Sequence, residues 1–133
     1  MDSNTRHIYK DNPAVAAAFA EWLVNWLKGR QRTTIALSGG STPKLLFQVL
    51  AEKYADQIDW SGIHLFWGDE RCVPPDHADS NYGMTKALLL DHIDIPATNV
   101  HRIKGEEQPA VEAVRYGQEI QSVVSAVDGR PAF

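Results

Sequence analysis

Residues 33–49 read TTIALSGGSTPKLLFQV, and no other stretch restricts the fold as much. Thr33 to Leu37 is short, β-branched and apolar, the pattern of a buried strand. Gly39 and Gly40 end it, because glycines weaken a strand and supply positive φ for a tight turn. Thr42 and Pro43 then suit an N-cap and a first helical residue, and Leu46, Val49 and Leu50 continue at helical spacing. A strand that passes at once into a helix is not the first arm of a hairpin. It opens a β–α–β crossover, so a second strand should lie parallel to it.

Ile63 to Trp67 supplies that strand. Upstream, Asn12 and Pro13 predict the start of a helix carrying Val15, Phe19, Trp22, Leu23 and Trp26 and ending at Gly29. Downstream, Ser80 or Asn81 caps a third helix with Met84 and Leu88 on one face. Ile95 to Arg102 reads as irregular or as a short strand. Glu106 to Val127 reads as a long helix with Ala110, Val114, Ile120, Val124 and Val127 inward and Gly117 in its middle. Strands alternating with helices imply an α/β fold with a parallel sheet. Residues 1–133 contain no repeat, low-complexity tract or linker and read as a single domain. Two or three strands cover few helix faces, and Asp128-Gly129-Arg130-Pro131 turns toward another strand. The sheet is therefore expected to be incomplete at the C-terminus, the front part of a larger domain.

Composition narrows the function classes. The chain has 133 residues, 44% of them hydrophobic, which is enough for one real core. A net charge of −4 with no basic run argues against nucleic acid. A lone cysteine, Cys72, cannot pair internally and suits a reducing compartment. No apolar run approaches a membrane span, and MDSNTRHIYKDNP lacks the basic-then-apolar layout of a leader. A soluble cytoplasmic protein is the expectation. Oligomeric state is not legible.

Open parallel sheets bind ligands beyond the carboxyl ends of their strands, where Ser38 to Thr42 sits. Glycines there let the backbone approach a ligand, and successive amides form an anion nest at the positive end of the next helix. Two or three such hydrogen bonds, with the Ser41 and Thr42 hydroxyls, could hold a phosphate monoester. A capped turn with glycines for tightness is the competing reading. The spacing fits neither the P-loop nor the G-x-G-x-x-G dinucleotide fingerprint. At the next strand end, Asp69-Glu70-Arg71 places three charges at the same edge. Arg71 could offer a planar fork to a phosphate or carboxylate, and Asp69 could orient a polar substrate. An Asp–Arg or Glu–Arg pair pinning the loop is the alternative there.

Together, LSGGSTP at 37–43 and FWGDERCVPPDHADSNYGM at 66–84 resemble the 6-phosphogluconolactonase family, which belongs with the glucosamine- and galactosamine-6-phosphate isomerases. The resemblance covers nearly all of this chain and about the N-terminal half of the family's domain. It implies a Rossmann-like sheet flanked by helices, and hydrolysis of 6-phospho-D-glucono-1,5-lactone to 6-phosphogluconate in the oxidative pentose phosphate pathway. It implies that Ser38, Gly39, Gly40, Ser41 and Thr42 cradle the phosphate with help from Arg71. Asp69 would lie by the sugar as the catalytic-site carboxylate, and Ser80 and Asn81 would brace the loop or touch substrate. The partner is a small phosphosugar lactone, with no cofactor and no metal.

The family's general base is a histidine in a G-x-D-G-H-T-A-S-like motif, and no stretch of this sequence matches it. His7, His64, His77, His92 and His101 read as structural or solvated. An amino-sugar-phosphate deaminase or sugar-phosphate isomerase would use a similar phosphate loop, and the D-E-R-C-V-P run favours the lactonase over it. A sugar-phosphate-binding chain without turnover is the third reading.

Overall fold

A computed structural model describes residues 5–133; residues 1–4, the start of the stretch read for a leader, lie outside it. Three strands form a parallel sheet in the order β1 (Thr33–Leu37), β2 (Ile63–Trp67), β3 (Val100–His101). β1 and β2 pair along their whole length, from Thr33 opposite Ile63 to Leu37 opposite Trp67. β3 is shorter, with Val100 opposite Leu65 and His101 opposite Phe66. Both sequence-predicted strands begin and end where expected, and the irregular stretch before Arg102 contributes only two strand residues.

Helices cover both faces. α1 (Asn12–Leu27), α2 (Ser41–Val49) and α3 (Asn81–Leu88) lie on one side. There Ala20, Val24, Phe47, Leu50, Trp60 and Leu89 pack with Ile63, Leu65 and Trp67 of β2. α4 (Pro109–Val123) lies on the other, where Phe66 meets Tyr116 and Val124. β2 is thus buried on both sides, which is why it reads as an apolar run rather than an alternation. A short antiparallel hairpin, β4 (Ala126–Val127) with β5 (Arg130–Pro131), follows α4. Asp128 and Gly129 both have positive φ, which a two-residue hairpin turn requires.

Three local expectations need correcting. The cap of α1 is Asp11, whose side chain accepts the Ala14 amide at 2.9 Å, so Asn12 and Pro13 fall one place further into the helix. Its buried stripe is Ala16, Ala20 and Val24. Phe19 is exposed, and Trp22 and Trp26 are half-buried along an apolar groove beside β1. α2 starts at Ser41 with Gly40 as N-cap, not at Pro43 with Thr42 as cap. A proline within the first turn breaks no helical hydrogen bond, so it does not mark the boundary.

The third correction concerns α4, which is shorter than the pattern from Glu106 to Val127. Of the residues expected inward, Val124 is buried and Ile120 packs against it, but Ala110, Val114 and Val127 are exposed, and Glu112 and Tyr116 are buried instead. Hydrogen bonding sets this face. Glu112 accepts the Lys104 amide at 2.9 Å and pairs with Arg115, while Arg115 donates to the Arg102 carbonyl at 3.1 Å. α4 therefore holds the loop after β3 through polar groups that an apolar periodicity does not register.

Candidate functional site

Leu37 and Trp67 are the last paired residues of β1 and β2, and the Gly68 amide extends the ladder by donating to the Leu37 carbonyl at 2.9 Å. The loops beginning at Ser38 and Asp69 thus leave adjacent strands at one edge of the sheet. This is where the carboxyl ends of parallel strands open onto solvent.

Gly40 has φ 110° and ψ 175°, a region reserved for glycine. Having no side chain, it leaves the first turn of α2 without a side-chain cap. The first helical bond is Lys44 N–H to the Gly40 carbonyl at 3.1 Å. The Ser41 and Thr42 amides precede it, so the helix itself offers them no acceptor, and they point out of the positive end of α2. Ser38, Gly40 and Ser41 are exposed, and Gly39 and Thr42 half-buried.

α3 begins at the same edge and is arranged in the opposite way. Its cap is Ser80, as the sequence indicated, whose hydroxyl oxygen accepts the Gly83 amide at 2.9 Å. The Asn81 and Tyr82 amides donate to the Glu70 carboxylate at 2.7 and 3.0 Å. The helix end that would attract an anion already holds the protein's own carboxylate.

The charged run after β2 therefore splits three ways. Glu70 is turned to α3 and makes no ion pair with Arg71; the two are joined only by the Arg71 amide donating to Oε1 at 2.8 Å. Arg71 is exposed, and its guanidinium has no carboxylate within 4.0 Å among the described residues. The pinning pair considered from the sequence does not form. Asp69 is also exposed, touched by the Asn81 side-chain amide at 3.4 Å.

Asn81 draws the two loops together. A Cβ on Gly39 would lie 2.2 Å from Asn81 Oδ1, so the missing side chain lets Asn81 approach the first loop closely. Asn81 Nδ2 faces the Asp69 carbonyl at 3.3 Å. Ser80 is buried, with its hydroxyl engaged by Glu70 and Gly83, which points it to bracing and away from substrate.

A third loop, which sequence reasoning missed, follows β3. A Cβ on Gly105 would lie 2.2 Å from the Arg71 carbonyl, so Lys104 and Gly105 pack directly on the second loop. Between them and α4 is a cleft of about 440 Å3 bordered by Asp69, Arg71, Lys104 and Tyr116. The only sequence signal for it is Gly105 itself, which no flanking pattern singles out.

His77 lies within the loop between β2 and α3, and the other histidines stand outside these loops. His64 and His101 stand on the α4 face of the sheet, Nδ1 to Nε2 at 3.0 Å, and His101 Nδ1 donates to Glu119 at 2.6 Å. Burial, Arg32 and His101 together push the His64 pKa down. His77 Nδ1 accepts the Asp79 amide at 3.0 Å, and His92 Nε2 meets the Ala87 carbonyl at 3.0 Å. Among the described residues no group of three His, Cys, Asp or Glu side chains is placed to hold a metal ion.

Comparison with known proteins agrees with this geometry. A sequence model of the glucosamine-6-phosphate isomerases/6-phosphogluconolactonase family matches residues 11–133. A 6-phosphogluconolactonase of Haemophilus influenzae is 55% identical over 91 residues, covering 68% of this chain and 39% of its own length. A 6-phosphogluconolactonase of Treponema pallidum is 38% identical over 128 residues, covering 96% of this chain and 53% of its own. The crystal structure of devB protein superposes with a TM-score of 0.90 at 46% identity, covering 95% of this chain and 53% of that one. The chain thus spans about half the length of the relatives it matches. By sequence, and by its three-stranded parallel sheet with helices on both faces, the chain belongs to the glucosamine-6-phosphate isomerase/6-phosphogluconolactonase family.

Proposed function

We propose that this chain grips the phosphate of a 6-phosphosugar lactone and serves the hydrolysis of 6-phospho-D-glucono-1,5-lactone to 6-phosphogluconate. The observation that carries the reading is the contrast between two neighbouring helix ends. Glu70 fills the start of α3, while the Ser41 and Thr42 amides at the start of α2 face outward with no side-chain cap. An anion of the right shape belongs at the second and is excluded from the first. The relatives that share this segment at 55% and 38% identity are lactonases, which favours a lactone over an amino sugar.

In this reading Ser38, Gly39, Gly40, Ser41 and Thr42 hold the phosphate, and Arg71 lends its uncommitted guanidinium. Asp69, one strand over, faces the sugar. In the reaction water adds to the C1 carbonyl, the bond from C1 to the ring oxygen breaks, that oxygen takes a proton, and a carboxylate is left. The residues of this chain contribute orientation: binding energy spent on the phosphate at C6 fixes the carbonyl at C1. The step also needs a base with a pKa near neutrality. His77, the one histidine within these loops, is turned to the Asp79 amide, and the base is assigned to the missing motif, in residues of a larger domain of which 1–133 forms the N-terminal part. The cytoplasm is the proposed setting, in keeping with the single exposed, unpaired Cys72.

Titration with 6-phosphogluconate tests the binding, and acid release from freshly prepared lactone tests the chemistry. Saturable binding is expected, with an acid-release rate close to the spontaneous one. Acceleration above that rate would show that these residues suffice for chemistry, and absence of binding would remove the assignment.

A further inference from the structure

One carboxylate ties the second site loop to the start of α3. Glu70 Oε1 accepts the amides of Arg71 at 2.8 Å and Asn81 at 2.7 Å. Its Oε2 accepts the Tyr82 amide at 3.0 Å and the Ser80 hydroxyl at 2.8 Å. The Ser80 oxygen in turn accepts the Gly83 amide. Four donors converge on one side chain, and only a group that accepts and does not donate can satisfy them all. Glutamine would turn an NH2 toward amide hydrogens, and aspartate is one methylene too short to reach across.

What Glu70 holds in place is Asn81. That side chain lies against Gly39 of the first loop and directs Nδ2 to the Asp69 carbonyl and carboxylate of the second, at 3.3 and 3.4 Å. A Cβ at Gly39 would displace the Asn81 side chain, so this side chain stands in the gap between the loops, and its backbone is held by the Glu70 carboxylate. We propose that Glu70 is a positioning residue for substrate: acting through Asn81, it sets the separation between the phosphate loop at Gly39 and the sugar-facing Asp69. This rests on the phosphosugar reading above. It has a consequence that a mere helix cap lacks. A ligand that reaches Asp69 as well depends on Glu70 through Asn81, whereas inorganic phosphate, held by the α2 amides and Arg71, does not reach Asp69.

The parent chain, Glu70→Gln and Glu70→Asp are titrated with 6-phosphogluconate and separately with inorganic phosphate, following the amide resonances of Gly40, Ser41 and Asp69. The parent is expected to bind both. A parent that binds neither defeats the phosphosugar reading, and this inference with it. In both variants 6-phosphogluconate affinity is expected to fall about tenfold, the loss of roughly one charge-assisted contact, with phosphate affinity held within about twofold. Equal losses for the two ligands, or no loss for either, would overturn the positioning role while leaving the phosphosugar reading intact. Should the variants lack cooperative melting, Asn81→Ala replaces them, because it keeps every Glu70 contact and cuts only the link to the loops. The same selective loss is expected, and parental affinity for 6-phosphogluconate would overturn the proposal.

Discussion

The Tyr116 hydroxyl accepts the backbone amide of Trp67 at 2.9 Å and lies 3.1 and 3.0 Å from the carbonyls of Trp67 and His101. One side chain of α4 thereby closes the carboxyl ends of β2 and β3, just beneath the loops that carry Asp69 and Lys104. Burial pushes its pKa up to about 12. Tyr116→Phe leaves the buried Trp67 amide without an acceptor and is expected to cost about 1–3 kcal/mol. Urea unfolding monitored by tryptophan fluorescence measures it. An unchanged midpoint would mean that this hydroxyl contributes nothing net.

Alkali should act at the same point. A folded pKa of about 12 against an ordinary value near 10 means that the folded state keeps a proton the unfolded chain gives up. The stability from this group is complete below pH 10 and is lost as pH rises toward 12. Tyr116→Phe should flatten that part of the profile, as followed by thermal melting against pH.

Acid acts elsewhere. Hydrogen bonding to Arg102 pulls the Glu106 carboxyl down to about 2, below its ordinary 4.5. A depressed folded pKa gives stability that is present above the unfolded value and is lost as pH falls from about 5 toward 2. Arg102→Ala should remove this limb of the curve by lowering stability modestly at neutral pH, the pair being partly exposed, and leaving it unchanged near pH 2. A profile of the same shape in the variant would assign the acid loss to other carboxylates.

Among the described residues Arg71 has no carboxylate partner, so Arg71→Ala should leave the melting temperature within a degree or so of the parent, as surface substitutions do. Affinity for 6-phosphogluconate should nevertheless drop about tenfold, since a guanidinium–phosphate bond is charge-assisted. Calorimetry at two salt concentrations checks both parts, the parent showing the steeper salt dependence. Equal affinities would place Arg71 outside the site.

Gly39→Ala puts a methyl 2.2 Å from Asn81 Oδ1, so the asparagine must swing away. The expected result is a folded chain with weakened 6-phosphogluconate binding and a shifted Asp69 amide resonance, visible by NMR. An unperturbed Asp69 would show that the two loops are not coupled through Asn81.

Both main strands, the first three helices and the two strand-end loops were legible in the residue order. Their signals are local: β-branched runs bounded by glycine, apolar residues at helical spacing, a serine cap. The cap of α3, read as Ser80 or Asn81, is a case in point, because the capping bond from Gly83 to Ser80 lies within the helix's own first turn. The loop pair was legible in kind, as glycines and charges at the carboxyl edge of a parallel sheet.

What each charge does could not be read in the same way. Glu70 and Arg71 are neighbours in sequence, and a pair between them was a natural reading, yet the Glu70 carboxylate turns to the Ser80 hydroxyl and the Asn81 and Tyr82 amides, ten to twelve residues away. The first turns of the inward face of α4 were misread for the same reason, although Ile120 and Val124 point inward as expected. Val114 satisfies an apolar period, but Glu112 and Tyr116 are held inward by hydrogen bonds to chain segments that the sequence does not place beside them. Propensity and periodicity act over one turn or one strand, so residue order alone settled where the elements lie and which edge is polar. Which donor meets which acceptor depends on distances set by packing three strands between two helical layers, and only the folded chain contains that information.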